Sequence, residues 1–439
     1  KLLWMYRMKN IVDLLLDKFR QDRVKTTPDF LEKYGRDWYE GFDPNPSAIF
    51  FPTNELDIAE IMHLAASDNF KLVASGGRTG LNGGATATEK EVIISSEKLN
   101  KIKWLPETRQ ILCQAGVTTD VAKKLAEEHG RHLPIEFSST SASTIGGNVA
   151  TNAAGAKFIK YGATKQHVKG LKVVLPNSEI IELTKNVEKD ASGPNLMELF
   201  FGSEGTMGFI TEILLDTYPL PKFKESVLFS TNNLDVFDET FIKNSEIISA
   251  LELLDNKCMN LLAKDSKHNF NVLLELVADN ENDIASLLAK AAKIQVDVNL
   301  LNTRQAQEFW HDREKVPVLL SEKKAYKLDI CVPVSSLVSF MNELQEIETN
   351  KDIFCFGHLG DGNIHVNLVD SSNKMPVIDE IYELTKKFNG SPSAEHGIGI
   401  RKKHVWHDFS GYKDKYKLLK SLKKSMDPEN ILGSKVFFD

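Results

Sequence analysis

The feature that most constrains the fold is a glycine-rich stretch, Ser75–Gly84, in which five of ten residues are glycine. Glycine adopts backbone conformations closed to other residues and lets a ligand approach the backbone N–H groups, as a bound pyrophosphate requires. The stretch lies between two apolar, strand-like runs, 71–74 and 92–95, and no amphipathic helix follows it. It is therefore neither a Walker A motif nor a Rossmann fingerprint. Taken alone, it could also be a glycine-rich surface loop.

Two more runs of small and hydroxyl residues follow, Ser138–Gly155 and Phe201–Thr211. In this order and spacing, the three blocks resemble the FAD-binding domain of vanillyl-alcohol-oxidase type (p-cresol methylhydroxylase-like, PCMH-type) flavoproteins. The resemblance implies that FAD contacts residues of all three blocks. The expected cofactor-binding residues are Ser75, Gly76, Gly77, Arg78, Thr79, Gly80, Leu81, Ser138, Ser139, Thr144, Ile145, Gly146, Gly147, Asn148, Thr151, Asn152, Gly155, Gly205, Gly208 and Ile210. We expect non-covalent FAD because the glycine loop has neither His nor Cys; His132 stays open as an attachment point.

Composition narrows the class of protein. The chain has 439 residues, 42% of them hydrophobic and 26% charged, which suggests two or three globular domains. Its formal net charge of −7, without a basic stripe, argues against a nucleic-acid binder. The four cysteines are scattered and form no Cys-x-x-Cys pair, so a reduced, cytoplasmic protein is the simplest interpretation.

The N-terminal residues 1–8 lack the features of a signal peptide, and an upstream extension within them stays open. No run of eighteen apolar residues occurs, so the sequence predicts no transmembrane segment. Peripheral association with a membrane stays open, as does a homodimer.

Hydrophobic patterning predicts an α+β fold. Strands and helices alternate up to Tyr218–Pro221 without the regular rhythm of a doubly wound sheet. Beyond that point a repeated strand-then-helix pattern suggests a ferredoxin-like substrate (cap) domain. We expect an N-terminal lead-in (1–43), a PCMH-type FAD-binding domain (44–221), a cap domain with a metal site (222–400) and a C-terminal helical segment (401–439).

The most informative stretch of the second half is Cys355–Val369. Asp361 and Gly362, between two alternating runs, predict a two-residue type I′ hairpin turn. This register would set His358 directly opposite His365, close enough for both imidazoles to bind one divalent ion. Alternation places Asn363 and Asn367 on the same polar face, while the apolar residues between them face the core.

Glu395 and His396 follow some thirty residues later, in Ser393–Gly399. Glu395 would complete a metal site with His358 and His365, and His396 could act as a general base. In isolation, the segment could also be a glycine-rich turn with an exposed Glu-His pair. Both blocks resemble those of the FAD-linked D-2-hydroxyacid dehydrogenases, a family that includes D-lactate and D-2-hydroxyglutarate dehydrogenases. The resemblance implies a divalent metal, which we expect to be Zn²⁺, at His358, His365 and Glu395, and a catalytic role for His396.

The same resemblance assigns substrate contacts. Arg313 and Lys327 fall where D-2-hydroxyglutarate dehydrogenases place cations on the substrate carboxylate, and Asn367 and His396 complete the expected substrate residues. For each cation, a surface ion pair is the alternative. The sequence departs from the family pattern at Pro317, which replaces a hydroxyl residue that some of these enzymes carry.

The sequence therefore predicts an FAD-dependent dehydrogenase that oxidises a D-2-hydroxy acid, with D-2-hydroxyglutarate the first choice and D-lactate or glycolate the alternatives. No second redox motif is present, so we expect a separate electron acceptor, a quinone or an electron-transfer flavoprotein. A flavin-free metal hydrolase would leave the glycine-rich blocks unexplained. A flavin-containing interaction protein would bind FAD that no hydroxy acid reduces.

Overall fold

The computed structural model describes residues 10–184, 187, 189–237, 246–291, 297–347, 352–369, 375–409 and 411–438. Within them, the chain forms three smaller sheets up to Pro219, and one large sheet covered by helices follows. The C-terminal segment returns to the first half, where the Leu72 N–H donates to the Ile431 carbonyl and the Gly433 N–H donates to the Leu72 carbonyl. The α+β prediction is confirmed.

The first half has short elements joined by long loops. Its helices are α1 (Ile11–Lys18), α2 (Pro28–Tyr34), α3 (Glu55–Asp68), α4 (Thr119–Glu128), α5 (Ile145–Thr151) and α6 (Phe158–Tyr161). Its strands are β1 (Val24–Lys25), β2 (Ala48–Phe50), β3 (Leu72–Ser75), β4 (Val92–Ser95), β5 (Ile102–Leu105), β6 (Gln110–Gln114), β7 (Arg131–His132), β8 (Val168–Val174), β9 (Ile180–Glu182), β10 (Phe209–Asp216) and β11 (Tyr218–Pro219). The strand orders are β1-β2-β4-β3, β5-β6-β10-β8-β9 and β11-β7.

Helix α3, which precedes the strand leading to the glycine loop, begins and ends at local sequence signals. The Asn54 side chain accepts a hydrogen bond from the Asp57 N–H at 3.0 Å and begins the helix, and Asn69, in the left-handed conformation, ends it. The next strand, β3, is mostly buried and pairs in parallel with β4. The glycine loop is therefore the connection between two parallel strands of one sheet, which agrees with the predicted strand–loop–strand arrangement.

The second half is built on a seven-stranded antiparallel sheet in the order β15-β12-β14-β13-β17-β18-β16. Its strands are β12 (Phe223–Thr231), β13 (Ile248–Asp255), β14 (Phe270–Ala278), β15 (Asp297–Leu301), β16 (Tyr326–Cys331), β17 (Asp352–His358) and β18 (Asn363–Val369). Its helices are α7 (Asn256–Leu261), α8 (Glu281–Ala291), α9 (Thr303–Glu322), α10 (Leu337–Ile347) and α11 (Met375–Lys387). Helices α12 (Lys403–Trp406) and α13 (Tyr412–Met426) follow.

This sheet contains two related halves. Strands β12 to β15 lie in the fourth-first-third-second order of a ferredoxin-like sheet, and β16, β17 and β18 repeat the arrangement of its first three strands. Beside β16, where a fourth strand would lie, a loop instead forms single bridges from Ser391 to Cys331 and from Ser393 to Asp329. That loop carries Glu395 and His396 to the polar face of the sheet.

The predicted hairpin forms, but its register was wrong by two residues. His358 lies opposite Asn363, and His365 lies opposite Phe356. The connection has four residues because the Leu359 N–H donates to the Leu251 carbonyl of β13, so that Leu359 does not pair with β18. An even shift leaves every side chain on its predicted face, so the two histidines are diagonal neighbours with ring centroids 5.6 Å apart.

Candidate active site

A cavity of about 850 Å³ lies between the two halves of the chain. One wall consists of the glycine loop and the other two small-residue blocks, and the opposite wall is the polar face of the seven-stranded sheet with helix α9. The rest of that sheet face is apolar and packs against α7 and α9. The folded chain thus brings the sequence blocks of both halves to one site.

The three predicted metal ligands meet on the sheet wall. The Nε2 atom of His358 is 2.8 Å from Oε1 of Glu395, and the Nε2 atom of His365 is 4.0 Å from Oε2 of the same carboxylate. One ligand atom from each residue lies within 4.8 Å of the others. Two imidazole nitrogens and a carboxylate are a common donor set for Zn²⁺, so these residues fit a divalent ion.

Two buried acids, which sequence reasoning missed, hold the imidazoles from behind. Glu252 on β13 accepts a hydrogen bond from Nδ1 of His358 at 2.5 Å, and Oδ1 of Asp329 on β16 is 3.5 Å from Nδ1 of His365. An acid behind each Nδ1 leaves both Nε2 atoms facing Glu395, which is the usual arrangement around metal-binding histidines. In the sequence, each of these acids is visible only as a carboxylate between two apolar neighbours, Leu251 and Leu253 for Glu252, and Leu328 and Ile330 for Asp329.

The electrostatics of this cluster favour a positive charge between the imidazole of His358 and the carboxylate of Glu395. Burial alone would lower the pKa of His358, but Glu252 and Glu395 raise it well above its usual value. Burial would raise the pKa of Glu252, but His358 and Arg313 lower it to about 2. The acids are therefore ionised, and a cation beside them is stabilised by their charge.

His396 lies at the edge of the cluster and faces the cavity. Its Nδ1 atom is 3.4 Å from Oδ2 of Asp329, and its ring stacks on His365 with centroids 5.5 Å apart. The side chain is 29% exposed, and burial lowers its pKa. A neutral imidazole at the cavity wall, beside a fixed carboxylate, has the properties of a general base.

The predicted substrate residues also line the cavity. Arg313, on α9, donates to Glu252 at 2.9 Å and lies 3.4 Å from Nε2 of His358. Lys327, on β16, donates from Nζ to the Pro317 carbonyl at 3.0 Å. Arg313 is therefore already paired within the protein, whereas Lys327 has only neutral partners among the described residues.

Eighteen of the twenty predicted cofactor-binding residues line the cavity, and Ile145 and Asn152 do not. Ile145 is fully buried in the adjacent apolar core, and the Asn152 side chain accepts a hydrogen bond from the Lys165 N–H. His132 also lies outside the cavity lining and packs edge-on against Tyr161.

The glycine loop fits a close ligand approach. A Cβ on Gly77 would lie 2.1 Å from the Ala142 carbonyl oxygen, and one on Gly76 would lie 2.5 Å from Oγ1 of Thr144, so only glycine allows this packing of the first block on the second. Ser75 Oγ is buried at this wall and has no hydrogen-bond partner among the described residues. A hydroxyl in that position is available to a bound ligand.

Comparison with known proteins identifies the family. Residues 46–184 match the FAD binding domain family, and residues 220–436 match the C-terminal domain of FAD linked oxidases. These matches and the fold define an FAD-dependent oxidoreductase with its site between two domains. The chain belongs to the FAD-linked oxidase family.

Curated relatives cover nearly the whole chain. The D-2-hydroxyglutarate dehydrogenase of Stutzerimonas stutzeri (strain A1501) is 32% identical over 458 residues, which span 97% of this chain and 98% of that protein. The probable mitochondrial D-2-hydroxyglutarate dehydrogenase of Oryza sativa subsp. indica is 32% identical over 426 residues, 90% of this chain and 76% of that protein.

The solved structure of p-cresol methylhydroxylase with substrate bound has the same fold, with a TM-score of 0.75 and 14% identity over 95% of this chain and 94% of that one. The PCMH-type fold prediction is thus confirmed. Among the described residues, no helix is both long and apolar enough to cross a membrane.

Proposed function

We propose that the protein oxidises a D-2-hydroxy acid to the 2-oxo acid with non-covalently bound FAD, and that D-2-hydroxyglutarate is the substrate. The observation that carries the proposal is the single cavity in which the three flavin-type blocks face His358, His365, Glu395 and His396. The names of the relatives support this choice of substrate. D-Lactate or glycolate is the alternative.

Each side chain of the sheet wall has a defined task in this proposal. The Nε2 atoms of His358 and His365 and the carboxylate of Glu395 would hold a divalent ion, and Glu252 and Asp329 fix the two imidazoles from behind. When bound, a Zn²⁺ ion would supply Lewis acidity toward the substrate hydroxyl and carboxylate. The donor set and the negative charge around it support this assignment.

His396 takes the proton of the substrate hydroxyl, while Asp329 holds its ring in place. Bound FAD supplies the acceptor for the hydride that leaves C2. Loss of a proton from oxygen and a hydride from carbon converts the alcohol to the ketone. Proton transfer to a positioned base of this kind contributes about 10²–10⁴-fold to a rate.

Lys327 and Arg313 bind carboxylate oxygens of the substrate, and Asn367 lies beside them in the cavity wall. Within the described part of the chain the Lys327 ammonium has no carboxylate partner, which favours a dicarboxylic acid over a monocarboxylic one. The hydroxyl that Pro317 lacks is available one helical turn further on, at Ser321, which Lys327 contacts.

We also propose that a separate acceptor, a quinone or an electron-transfer flavoprotein, reoxidises the flavin. The four free cysteines support a reduced compartment such as the cytoplasm.

The test is an anaerobic visible spectrum of the purified protein before and after addition of D-2-hydroxyglutarate, D-lactate or glycolate, repeated after chelation with EDTA and after Zn²⁺ is restored. We expect D-2-hydroxyglutarate to bleach the flavin, chelation to abolish bleaching without releasing the flavin, and Zn²⁺ to restore it. Absence of flavin after reconstitution with FAD would overturn the function. Bleaching that survives complete metal removal would overturn the metal site alone.

The role of His396 is tested in the same assay. His396→Ala should keep the yellow colour and lose substrate reduction of the flavin, whereas His404→Ala, which removes an exposed histidine outside the cavity, should behave as the wild type. Unimpaired flavin reduction by His396→Ala would show that this residue is not the base.

A further inference from the structure

The loop that carries His396, residues 393–401 and here named the His396 loop, is fastened to the sheet by one carboxylate. Oδ2 of Asp329 accepts hydrogen bonds from the N–H groups of Ala394, Glu395 and His396 at 3.1, 2.9 and 3.0 Å. These bonds fix the N-terminal part of the loop to the substrate half of the chain. The C-terminal part, from the His396 carbonyl onward, contacts the sheet through the Arg401 guanidinium, which donates to the Lys327 carbonyl of β16 at 3.3 Å.

The C-terminal part is fastened from the opposite side, by the flavin half. The side-chain amide of Asn82 donates to the carbonyls of His396 and Gly397 at 2.8 and 2.7 Å. The backbone carbonyl of Asn82 accepts from the N–H groups of Ile400 and Arg401 at 2.9 and 3.1 Å. Asn82 is 2% exposed and directly follows Leu81 of the glycine loop.

Glu204, from the third small-residue block, completes this attachment. Its Oε1 accepts from the Ile398 N–H at 2.7 Å, and its Oε2 accepts from the Gly399 N–H at 2.9 Å. Six hydrogen bonds from two residues of the flavin half therefore hold residues 396–401.

The two glycines of the loop are explained by the same contacts. Gly397 and Gly399 have φ values of +70° and +55°. A Cβ on Gly397 would lie 2.5 Å from Oε1 of Glu204, and a Cβ on Gly399 would lie 2.1 Å from the Asn82 carbonyl oxygen. The close approach of Asn82 and Glu204 to the loop thus explains why glycine occupies both positions of the Gly-Ile-Gly sequence after His396.

We propose that Asn82 and Glu204 are positioning residues that fix the position of His396 relative to the flavin. The position of the base is then determined by both halves of the chain. This inference rests on the proposed function of His396. Asp329 fixes the ring to the substrate wall, and Asn82 with Glu204 fixes the backbone beyond it to the flavin wall. Loss of the attachment through Asn82 and Glu204 should move the imidazole by up to about 1 Å, while the metal ligands stay in place.

The primary variant is Asn82→Asp, which keeps the size of the side chain but sets a carboxylate against two carbonyl oxygens; Asn82→Ala is the second. Anaerobic flavin reduction at saturating substrate should slow by about 10- to 100-fold in both, because misplacement by about 1 Å can cost that much. The substrate concentration at half-maximal rate and the bound flavin should stay near the wild-type values.

The matched control is Asn54→Ala, which removes the N-terminal cap of α3 and touches neither the cavity nor the His396 loop. It should lower thermal stability and leave the reduction rate unchanged. A second readout is independent of activity: amide hydrogen exchange in a peptide covering residues 394–402 should be at least about tenfold faster in Asn82→Asp than in Asn54→Ala, with or without substrate.

The outcomes separate this inference from the function on which it rests. A double variant, Asn82→Asp with His396→Ala, should reduce flavin no more slowly than His396→Ala alone, because the positioned group is already gone. If His396→Ala is inactive but both Asn82 variants reduce flavin within about twofold of wild type, the positioning role is wrong. If an Asn82 variant loses flavin, its reduction rate cannot be compared and amide exchange decides. Exchange in the loop as slow as in Asn54→Ala would then overturn the proposal. Retained activity of His396→Ala overturns the proposed base instead.

Discussion

The pH dependence of substrate selection should identify Lys327 as the contact for a second carboxylate. Nζ of Lys327 donates to the Pro317 carbonyl at 3.0 Å and to Oγ of Ser321 at 2.5 Å. An ammonium has three donors, so one is left for a substrate oxygen in the cavity. A neutral amine would lose most of that attraction, and the contact is therefore expected only when Lys327 is charged.

The titration falls in an accessible range. Burial lowers the pKa of Lys327, and the nearby Arg401 lowers it further, to about 8. Below that pKa the side chain is charged and binds the carboxylate; above it, the charged fraction falls about tenfold for each pH unit. A hydrogen bond to a charged group contributes about 1.5–3 kcal/mol, so the total loss should level off at about 10- to 100-fold.

The assay compares two substrates in the same buffer series. kcat/KM is measured for D-2-hydroxyglutarate and for D-lactate from about pH 7 to about pH 10, since kcat/KM reports the free enzyme. Groups that act on both substrates cancel in the ratio. We expect the ratio to fall above about pH 8 by about 10- to 100-fold in the wild type.

Lys327→Arg is the control, because its guanidinium stays charged throughout this range. The ratio of kcat/KM values should then be flat with pH, even if both values are lower than in the wild type. A flat ratio in the wild type, or the same fall in Lys327→Arg, would refute the assignment of Lys327 to the second carboxylate.

Two further predictions concern the walls of the cavity. Gly77→Ala should abolish FAD retention, measured as bound flavin per chain, because its Cβ would lie 2.1 Å from the Ala142 carbonyl oxygen. The control is Gly130→Ala, which introduces backbone strain at a φ of +67° but no contact within 4 Å, and it should retain FAD. Equal retention of flavin by both variants would contradict the packing argument. Glu252→Gln should lower the free energy of unfolding by about 3–5 kcal/mol in urea titrations, because it leaves the buried Arg313 guanidinium without its carboxylate. An unchanged urea midpoint would show that Arg313 finds compensation elsewhere.

The polar face of the hairpin shows how much a local sequence pattern can predict. Alternation and the predicted two-residue turn together put His358 and His365 on one polar face, and they do share a face although the connection has four residues. Side chains alternate with a period of two, so a shift by two residues moves every partner but changes no face. The turn itself depended on a hydrogen bond between Leu359 and Leu251, which lies on another strand.

The cofactor side was predictable for a different reason. Where backbone segments pack as closely as Gly77 and Ala142, no other residue fits, so the requirement for glycine is visible in the sequence. Ile145 and Asn152 were predicted together with their neighbours. They lie at the two ends of helix α5, however, and only some side chains of a helix can face the cavity.

Tertiary structure alone decided which acids serve the site. Glu252 and Asp329 each appear in the sequence as a carboxylate between two apolar neighbours, a pattern equally typical of a structural ion pair. Their roles depend on which strands become neighbours: β13 pairs with β17 at Glu252 and His358, and β16 pairs with β18 at Asp329 and His365. Local periodicity determines the face that a side chain occupies, whereas strand order and long-range register determine what it meets there.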